Sequence, residues 1–138
     1  MGVIDRKREN AKIYETIKDI HIKVDDKNLP ILSLSGGNQQ KVVIGKGILT
    51  SPEILLLDEP SRGIDIGAKS EVFDIIHQYS ERGLSLIVIS SELKEIEAIA
   101  DRVVVISNGI LTAELSGDEL NEQALVSASY KGHNKTTA

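Results

Sequence analysis

The chain has 138 residues and a formal net charge of −5, which disfavours a nucleic-acid-binding surface. It contains no cysteine, so disulfides and thiolate metal sites are excluded. Tryptophan is absent and there is one phenylalanine, so platforms for stacking bases are scarce. Because no apolar run approaches the roughly 20 residues that cross a bilayer, any membrane association is expected to depend on a partner.

The first part of the chain is predicted to form a helix and then a loop. Isoleucines recur at helical spacing over Asp5–Ile22, and Asp5 is the expected N-cap. The basic run Arg6–Arg8 is expected to lie on a solvated face. Residues 23–33 are rich in turn formers and predict a loop.

A second helix is predicted to begin after Ser35. Two glycines in its interior, Gly45 and Gly47, are unfavourable there and indicate either close packing against a neighbouring element or a locally soft helix. Lys41 and Lys46 are expected on its polar side, with no catalytic role.

The middle of the chain predicts a strand, a helix and a second, parallel strand. The apolar run Ile54–Leu57 lies between two prolines and is typical of a strand buried on both faces. A helix from Gly67 to about Arg82, capped by Asp65, would cross over to a strand at Leu84–Ser90.

The remainder predicts a short helix, a hairpin and a last helix. Ser91 is the expected cap of the short helix, and Asn108-Gly109 predicts a hairpin turn. The Ser116–Glu119 segment has the pattern of a capping box for a helix ending near Ser129, and residues 131–138 are expected to be frayed. The strands beginning near Ile54, Leu84 and Val103 are expected to share one sheet.

Two adjacent acids follow the first apolar strand. Ligands bind at the carboxyl ends of strands in open α/β sheets, and paired carboxylates there favour a cation. Asp58 is therefore a candidate Mg²⁺ ligand and Glu59 a candidate general base. The alternative is two solvated acids at the mouth of a loop.

A second candidate site precedes the second helix. Ser35 is a suitable N-cap, and Gly36 and Gly37 carry no side chain that would keep an anion away from the backbone. The first turn of a helix attracts phosphate through its N–H groups and its dipole. The alternative is a plain serine cap followed by a flexible hinge.

Together these segments resemble the nucleotide-binding domain of ABC transporters. Leu34–Asn38 match its signature motif, Ile54–Glu59 match its Walker B motif and Ser61–Asp65 stand at its D-loop position. The NQQK and EPSRGID sequences look most like carbohydrate importers whose ATPase carries two such domains in one chain. The likeness is to the C-terminal part of the second domain and covers about residues 5 to 120.

The resemblance implies an α/β fold. It would comprise part of a P-loop NTPase (RecA-like) parallel sheet with flanking helices, part of the helical subdomain and a C-terminal β-hairpin. Its implied domain division is 1–50 for the helical signature subdomain, 51–116 for the ATPase core and 117–138 for a terminal helix and tail.

The resemblance also implies roles at an ATP site that two domains share. Asp58 would hold Mg²⁺ and Glu59 would be the general base. The signature residues would contact the γ-phosphate of a nucleotide bound to the opposing domain, and the D-loop would cross the dimer interface. The implied residues are Ser35, Gly36, Gly37 and Asn38 for the signature, and Ser61, Arg62, Gly63 and Asp65 for the D-loop.

The sequence departs from the family at two points. It contains no GxxxxGK[ST] phosphate loop, so ATP and Mg²⁺ are expected only in a complete assembly, and the chain alone is expected to be inactive. Ser91 stands where the family usually has a switch histidine, and serine cannot act as a cationic donor. The site built on Asp58 and Glu59 is therefore expected to be weaker than its partner site.

The expected partners are the N-terminal half of the same domain, a second nucleotide-binding domain and a membrane permease, with self-association as a further possibility and no nucleic acid. The expected location is cytoplasmic, peripheral at the inner face of the plasma membrane. One alternative is an inert binding module or truncated product that lends its signature surface to another ATP site. Another is a small α/β protein whose acids are structural.

Overall fold

The computed structural model describes residues 5–131, which form two compact units, one ending at Ile89 and one beginning at Ser90. The class is α/β, as predicted. The first unit contains three helices and two strands, in the order α1 (Arg6–Asp19), α2 (Gly36–Leu49), β1 (Ile54–Asp58), α3 (Ile66–Glu81) and β2 (Ser85–Ile89). A short 3₁₀ turn, Ile31–Ser33, precedes α2. The division at residues 50 and 116 stays a prediction.

Strands β1 and β2 form the predicted parallel pair, with α3 as the crossover. Their register runs from Ile54 opposite Ser85 to Asp58 opposite Ile89. The expected three-stranded sheet is wrong, because in the described part of the chain β1 and β2 pair only with each other.

The prediction that β1 is buried on both faces is also wrong. Leu57 is buried, whereas the alternate positions Ile54 and Leu56 are exposed, as are Ile87 and Ile89 of β2. A parallel sheet buries both faces only where helices cover both, and the helices of this unit cover one. The sheet therefore presents an apolar face of four branched side chains to solvent.

Close packing explains the two interior glycines of α2. A Cβ added to Gly45 would lie 2.9 Å from Ile20 Cδ1 of the α1 end, and one added to Gly47 would lie 2.7 Å from Leu55 Cδ1 of β1. Both distances are shorter than Cβ contacts in proteins normally are, so the ends of the Ile20 and Leu55 side chains would have to move. The close-packing alternative is therefore confirmed.

The expectation for Lys41 is wrong, whereas Lys46 is exposed as predicted. Lys41 is 1% exposed, because its ammonium group has two partners inside the unit. It donates to the carbonyl of His21, at 2.9 Å, and pairs with the carboxylate of Glu71 in α3. A lysine is rarely buried so fully unless it is paired.

Helices α1 and α3 are joined by a polar clamp around Asp19. Arg82 donates two hydrogen bonds to its carboxylate, at 2.6 and 2.9 Å, and the Tyr79 hydroxyl donates a third, at 2.5 Å. These donors, of which Arg82 has the largest effect, hold the pKa of Asp19 at about 2, below its ordinary value of 3.8. Burial, followed by the bond to Asp19, raises the pKa of Tyr79 to about 12.

The second unit consists of α4 (Leu93–Ile99), β3 (Arg102–Ser107), β4 (Ile110–Ser116) and α5 (Glu122–Lys131). The predicted hairpin is confirmed, since β3 and β4 pair antiparallel with a bulge between Val105 and Ile106. Asn108 and Gly109 both have positive φ, 50° and 74°, as the two-residue hairpin turn requires.

Two predicted caps in this unit are wrong. Helix α4 begins after Glu92 rather than Ser91, and the hydroxyl of Ser90 accepts the N–H of Glu92 at 3.1 Å. Ser116 does not open the last helix, because Gly117 turns the chain through a positive φ of 53° into a separate 3₁₀ turn.

Helix α5 is capped instead by Asn121, whose side chain accepts the N–H of Ala124 at 2.9 Å. The frayed tail predicted from residue 131 lies outside the described residues except for Lys131, which ends α5. Within residues 5–131, no helix has the length and apolar character needed to span a membrane.

Candidate functional site

The start of α2 is the first part of the site. Ser35 occupies the predicted N-cap position with an extended backbone, φ −60° and ψ 155°, and Gly36 and Gly37 form the first turn. The Ser35 side chain accepts no capping hydrogen bond from this turn, which lies wholly within the described residues. The first N–H groups of a helix have no partner within it, so this turn presents donors that its own cap does not use.

The side chains that follow hold the Ser35 turn in place. Asn38 Nδ2 donates to Ser35 Oγ at 3.0 Å, and Asn38 Oδ1 accepts the N–H of Lys23 at 2.9 Å. Gln39 Nε2 donates to the carbonyl of Leu34 at 2.8 Å. Because Ser35 Oγ accepts from Asn38, its own hydroxyl proton can be donated to a ligand.

The role of Asn38 is one that sequence reasoning missed. It is a predicted nucleotide contact, yet both ends of its amide are used inside the unit. The available signal was its position three residues after Ser35, a spacing that brings side chains together at the start of a helix. The contact of Asn38 with nucleotide stays a prediction.

The predicted D-loop lies directly against the predicted signature turn, Ser35–Gly37. A Cβ on Gly36 would meet Ile64 Cγ2 at 3.6 Å, and a Cβ on Gly37 would lie 2.4 Å from Ala68 Cβ. Asp65 caps α3 as predicted, accepting the N–H of Ala68 at 3.0 Å. The N-terminal turns of α2 and α3 are therefore in contact.

Within the D-loop the four predicted residues differ in exposure. Ser61 is buried, at 1% exposure, whereas Arg62, Gly63 and Asp65 are exposed. Gly63 has a φ of 76°, which few residues other than glycine adopt. The loop thus has a fixed, buried base and an accessible tip.

The acid pair lies at the carboxyl end of β1, as predicted. Asp58 is the last strand residue and is exposed. Glu59 has a φ of 46°, which is uncommon outside glycine, and its N–H donates to the carbonyl of Ile89 at 2.8 Å. Its own carbonyl accepts the N–H of Arg62 at 3.1 Å. The backbone of Glu59 therefore ties the end of the sheet to the D-loop.

The donor set at Asp58 fits a magnesium ion that is held mainly by phosphate and water. Magnesium commonly binds through one or two carboxylates together with substrate phosphates. Among residues 5–131, no group of three or more His, Asp or Glu side chains forms a self-contained metal cage. One exposed carboxylate at a strand end is consistent with a magnesium ion that is held mainly by phosphate and water.

An ion pair between the buried Lys41 and the partly exposed Glu71 was also missed by the sequence analysis. Lys41 lies one turn after Gly37 on α2 and pairs with Glu71 of α3. Lys23 Nζ reaches the other carboxylate oxygen of Glu71 at 3.4 Å. The hydrogen bond from Lys41, followed by its charge and that of Lys23, lowers the pKa of Glu71.

The structure thus brings the predicted signature turn, the predicted D-loop and the N-terminal turn of α3 together within the first unit. The acid pair joins them through the bond between Glu59 and Arg62. Ser91, the residue at the switch position, belongs to the second unit and is exposed. Its role stays a prediction.

Comparison with known proteins gives consistent matches. A sequence profile described as ABC transporter matches residues 3–62. The ribose import ATP-binding protein RbsA of Clostridium perfringens strain 13 is 44% identical over 123 residues, which is 89% of this chain and 25% of the relative. The arabinose import ATP-binding protein AraG of Vibrio parahaemolyticus is 42% identical over 137 residues, 99% of this chain and 27% of the relative.

Solved structures with the same fold are also ATP-binding cassettes. The cassette MJ1267 matches with a TM-score of 0.78 at 22% identity, over 93% of this chain and 52% of its own. A dimeric post-hydrolysis state of the cassette MJ0796 bound to ADP and Pi matches with a TM-score of 0.73 at 21% identity, over 83% of this chain and 50% of its own.

This chain spans about a quarter of the length of the curated relatives that it matches. The signature turn, the acid-tipped strand and the loop between them occur here in one folded unit, and the matches extend over nearly the whole sequence. The chain is therefore similar, over nearly all of its length, to the sugar-import members of the ATP-binding cassette (ABC) transporter family.

Proposed function

We propose that this chain is part of the ATP-hydrolysing motor of an ABC importer for sugars. The observation that carries the proposal is the α2 N-terminus, whose first turn is left uncapped by Ser35 and lies beside the D-loop. The names of the curated relatives, which import ribose and arabinose, support the choice of a sugar as cargo.

In this proposal the signature turn binds a nucleotide held by the opposing domain. The hydroxyl of Ser35 and the first-turn N–H groups of Gly36 and Gly37 donate to the γ-phosphate, and Asn38 orients Ser35 from behind. Phosphoryl transfer depends chiefly on positioning and on stabilising charge. A site completed by a second domain would therefore hydrolyse ATP only when the two domains close.

The acid pair serves the nucleotide that the same domain holds. Asp58 would hold Mg²⁺, which would neutralise phosphate charge when bound. Glu59 would take the proton of the attacking water, and its constrained backbone limits how far the carboxylate can drift. Ser91 at the switch position would make this site the weaker of a pair.

The proposed partners follow from what this chain lacks. Its sequence has no phosphate loop, and its sheet presents Ile54, Leu56, Ile87 and Ile89 to solvent. An exposed apolar face of this kind favours contact with further protein, here the remainder of the same domain. A second nucleotide-binding domain and a permease would complete a machine at the cytoplasmic side of the plasma membrane.

The alternative is an inert module that lends its signature turn to another ATP site. The serine at position 91 favours this reading, because the family's cationic switch is replaced by a neutral hydroxyl. The two functions differ in Glu59, which matters only if this chain contributes to the chemistry.

The test mixes this chain with an ATP-binding cassette that carries its own phosphate loop and a disabled signature serine. Phosphate release from ATP–Mg²⁺ is measured for the chain alone, for the cassette alone and for the mixture. We expect turnover only in the mixture. Ser35→Arg should abolish that turnover, whereas Ser70→Arg, at an exposed serine of α3, should not.

Glu59→Gln then separates the two candidates when it is made in this chain joined to the phosphate-loop half of a cassette, because Glu59 serves the nucleotide that its own domain holds. A fall in turnover supports the motor, and turnover that depends on Ser35 but not on Glu59 supports the inert module. A mixture that shows no turnover dependent on Ser35 contradicts both.

A further inference from the structure

Lys41 is a buried cation that the proposed mechanism does not use. Its side chain is 1% exposed, and its ammonium group bonds to two elements other than its own helix. One partner is the carbonyl of His21, just beyond the end of α1, and the other is the carboxylate of Glu71 in α3. Lys41 thus joins all three helices of the first unit at one point.

A continuous series of direct contacts leads from this point to the signature serine. Glu71 binds Lys41 through one carboxylate oxygen and Lys23 through the other, at 3.4 Å for Lys23. The N–H of Lys23 donates to Asn38, and Asn38 donates to Ser35 Oγ. These contacts connect the Glu71 carboxylate to the Ser35 hydroxyl through Lys23 and Asn38.

The contact between α2 and α3, referred to below as the α2–α3 seam, also fixes the first turn of α2 by packing. Gly37 lies one turn before Lys41, and Ala68 lies one turn before Glu71. A Cβ on Gly37 would lie 2.4 Å from Ala68 Cβ, so the two helices approach closely at this end. The Lys41–Glu71 pair is the next contact along the seam, where it holds the helices in register.

We propose that Lys41 and Glu71 are positioning residues for the signature turn, aiming Ser35 and the Gly36–Gly37 N–H groups at the incoming γ-phosphate. The inference rests on the proposed function, and it names residues that act through Ser35 rather than on the nucleotide. Loss of Glu71 would leave the buried Lys41 ammonium group with the His21 carbonyl but no carboxylate, and a poorly paired cation in a buried site is forced to move. That movement would be transmitted through Lys23 and Asn38.

The first experiment uses the 138-residue chain alone. NMR records the amide resonances of Gly36, Gly37 and Asn38, together with hydrogen exchange of the Gln39 N–H, which donates to the Ser35 carbonyl at 2.9 Å. The unaltered chain is compared with Lys41→Met, which keeps the length and apolar stem. Lys46→Met, on the exposed side of the same helix, is the matched control. We expect Lys41→Met to shift the first-turn resonances and to accelerate exchange of the Gln39 N–H about tenfold, and the control to change that exchange less than about twofold.

Equal effects of the two variants on the Gly36 and Gly37 resonances and on Gln39 exchange would overturn the proposal. If Lys41→Met does not give a folded spectrum, Glu71→Gln is read in the same way. The Glu71 side chain is 42% exposed, and glutamine keeps its shape and one acceptor oxygen. Lys41→Arg, which restores a cationic donor, should return the exchange rates towards those of the unaltered chain.

The second experiment uses the mixture with the signature-disabled cassette. A positioning role predicts that Glu71→Gln lowers kcat about tenfold and leaves the KM for ATP within about twofold, because Ser35 acts on the transition state from the opposite domain. An unchanged kcat would contradict it. Failure of the proposed function is distinguishable, since the unaltered chain would then give no turnover dependent on Ser35.

Discussion

Helices α2 and α3 begin side by side, but the first turn of α3 is capped by a side chain and the first turn of α2 is not. At α3, Asp65 accepts the N–H of Ala68 at 3.0 Å and closes the first turn. At α2, Ser35 stands in the same position, yet its hydroxyl accepts from Asn38 and leaves the first-turn donors to others. Sequence alone predicts a cap at both. The difference indicates which of the two helix ends is available to an external anion.

The comparison also shows why the two ends differ. A carboxylate as a cap satisfies the first turn and opposes the approach of phosphate, whereas a serine held by its neighbour does neither. The start of α3 is therefore structural. The first-turn N–H groups of α2 still lack an acceptor, and the phosphate of the proposed nucleotide would supply one.

The largest effect is expected where the two helix ends touch. Gly37→Ala should lower the free energy of unfolding by about 2–3 kcal/mol, because its Cβ would lie 2.4 Å from Ala68 Cβ and both helices must shift. Urea unfolding measures it. Gly36→Ala is the matched control, since its Cβ would lie at an ordinary 3.6 Å from Ile64 Cγ2. Equal losses in the two variants would refute the close approach of α2 and α3.

The next effect concerns the far end of α3, where it is clamped to α1. The pKa of Asp19 is about 2 in the folded chain, below its ordinary value of 3.8, so the folded state binds its proton less readily than the unfolded state. Its contribution is therefore complete above about pH 4 and is lost as the pH falls towards 2. The loss should be about 2 kcal/mol.

Unfolding measured from pH 5 to pH 2 tests this clamp, with Asp19→Asn as the reference. The variant should lose less stability than the unaltered chain over the same interval. Parallel curves for the two proteins would show that the Asp19 clamp does not hold α3.

A smaller effect is expected from removing the α3 cap. Asp65→Ala should destabilise the chain by about 1 kcal/mol, the usual cost of losing an N-cap acceptor. The midpoint of thermal or urea unfolding measures it. Asp65→Asn, which keeps an acceptor oxygen, should recover most of the loss. A variant as stable as the unaltered chain would mean that α3 does not depend on its cap.

The smallest effect on stability is expected at the start of α2. Ser35→Ala should change the free energy of unfolding by less than about 0.5 kcal/mol, because no capping bond is lost and only the exposed contact with Asn38 disappears. Its effect on turnover in the mixture should nevertheless be large. A stability loss equal to that of Asp65→Ala would erase the distinction between the two helix ends.

Much of this arrangement could be predicted from the sequence because it is local. The Asp5 and Asp65 caps, the Asn108-Gly109 hairpin and the parallel pairing of β1 with β2 all follow from residue type and spacing. Each depends on contacts within a few residues or on a short crossover, and such signals can be recognised from the sequence alone.

The errors arise where the outcome depends on distant partners. Lys41 falls on the polar side of a helical projection, but its burial was decided by Glu71 and the carbonyl of His21. The apolar run of β1 predicts burial on both faces, but only one face has helices to cover it. No pattern within either segment carries that information.

The left-handed backbone of Glu59 has a consequence for mutational scanning. Its φ of 46° is held by the bond from its N–H to Ile89, so every replacement inherits the same torsion. Valine and isoleucine would be penalised by their branched side chains, and glycine and asparagine would be tolerated for reasons unrelated to proton transfer. A saturation library at this codon would thus rank amino acids by backbone compatibility, and only the isosteric glutamine isolates the carboxylate's chemistry.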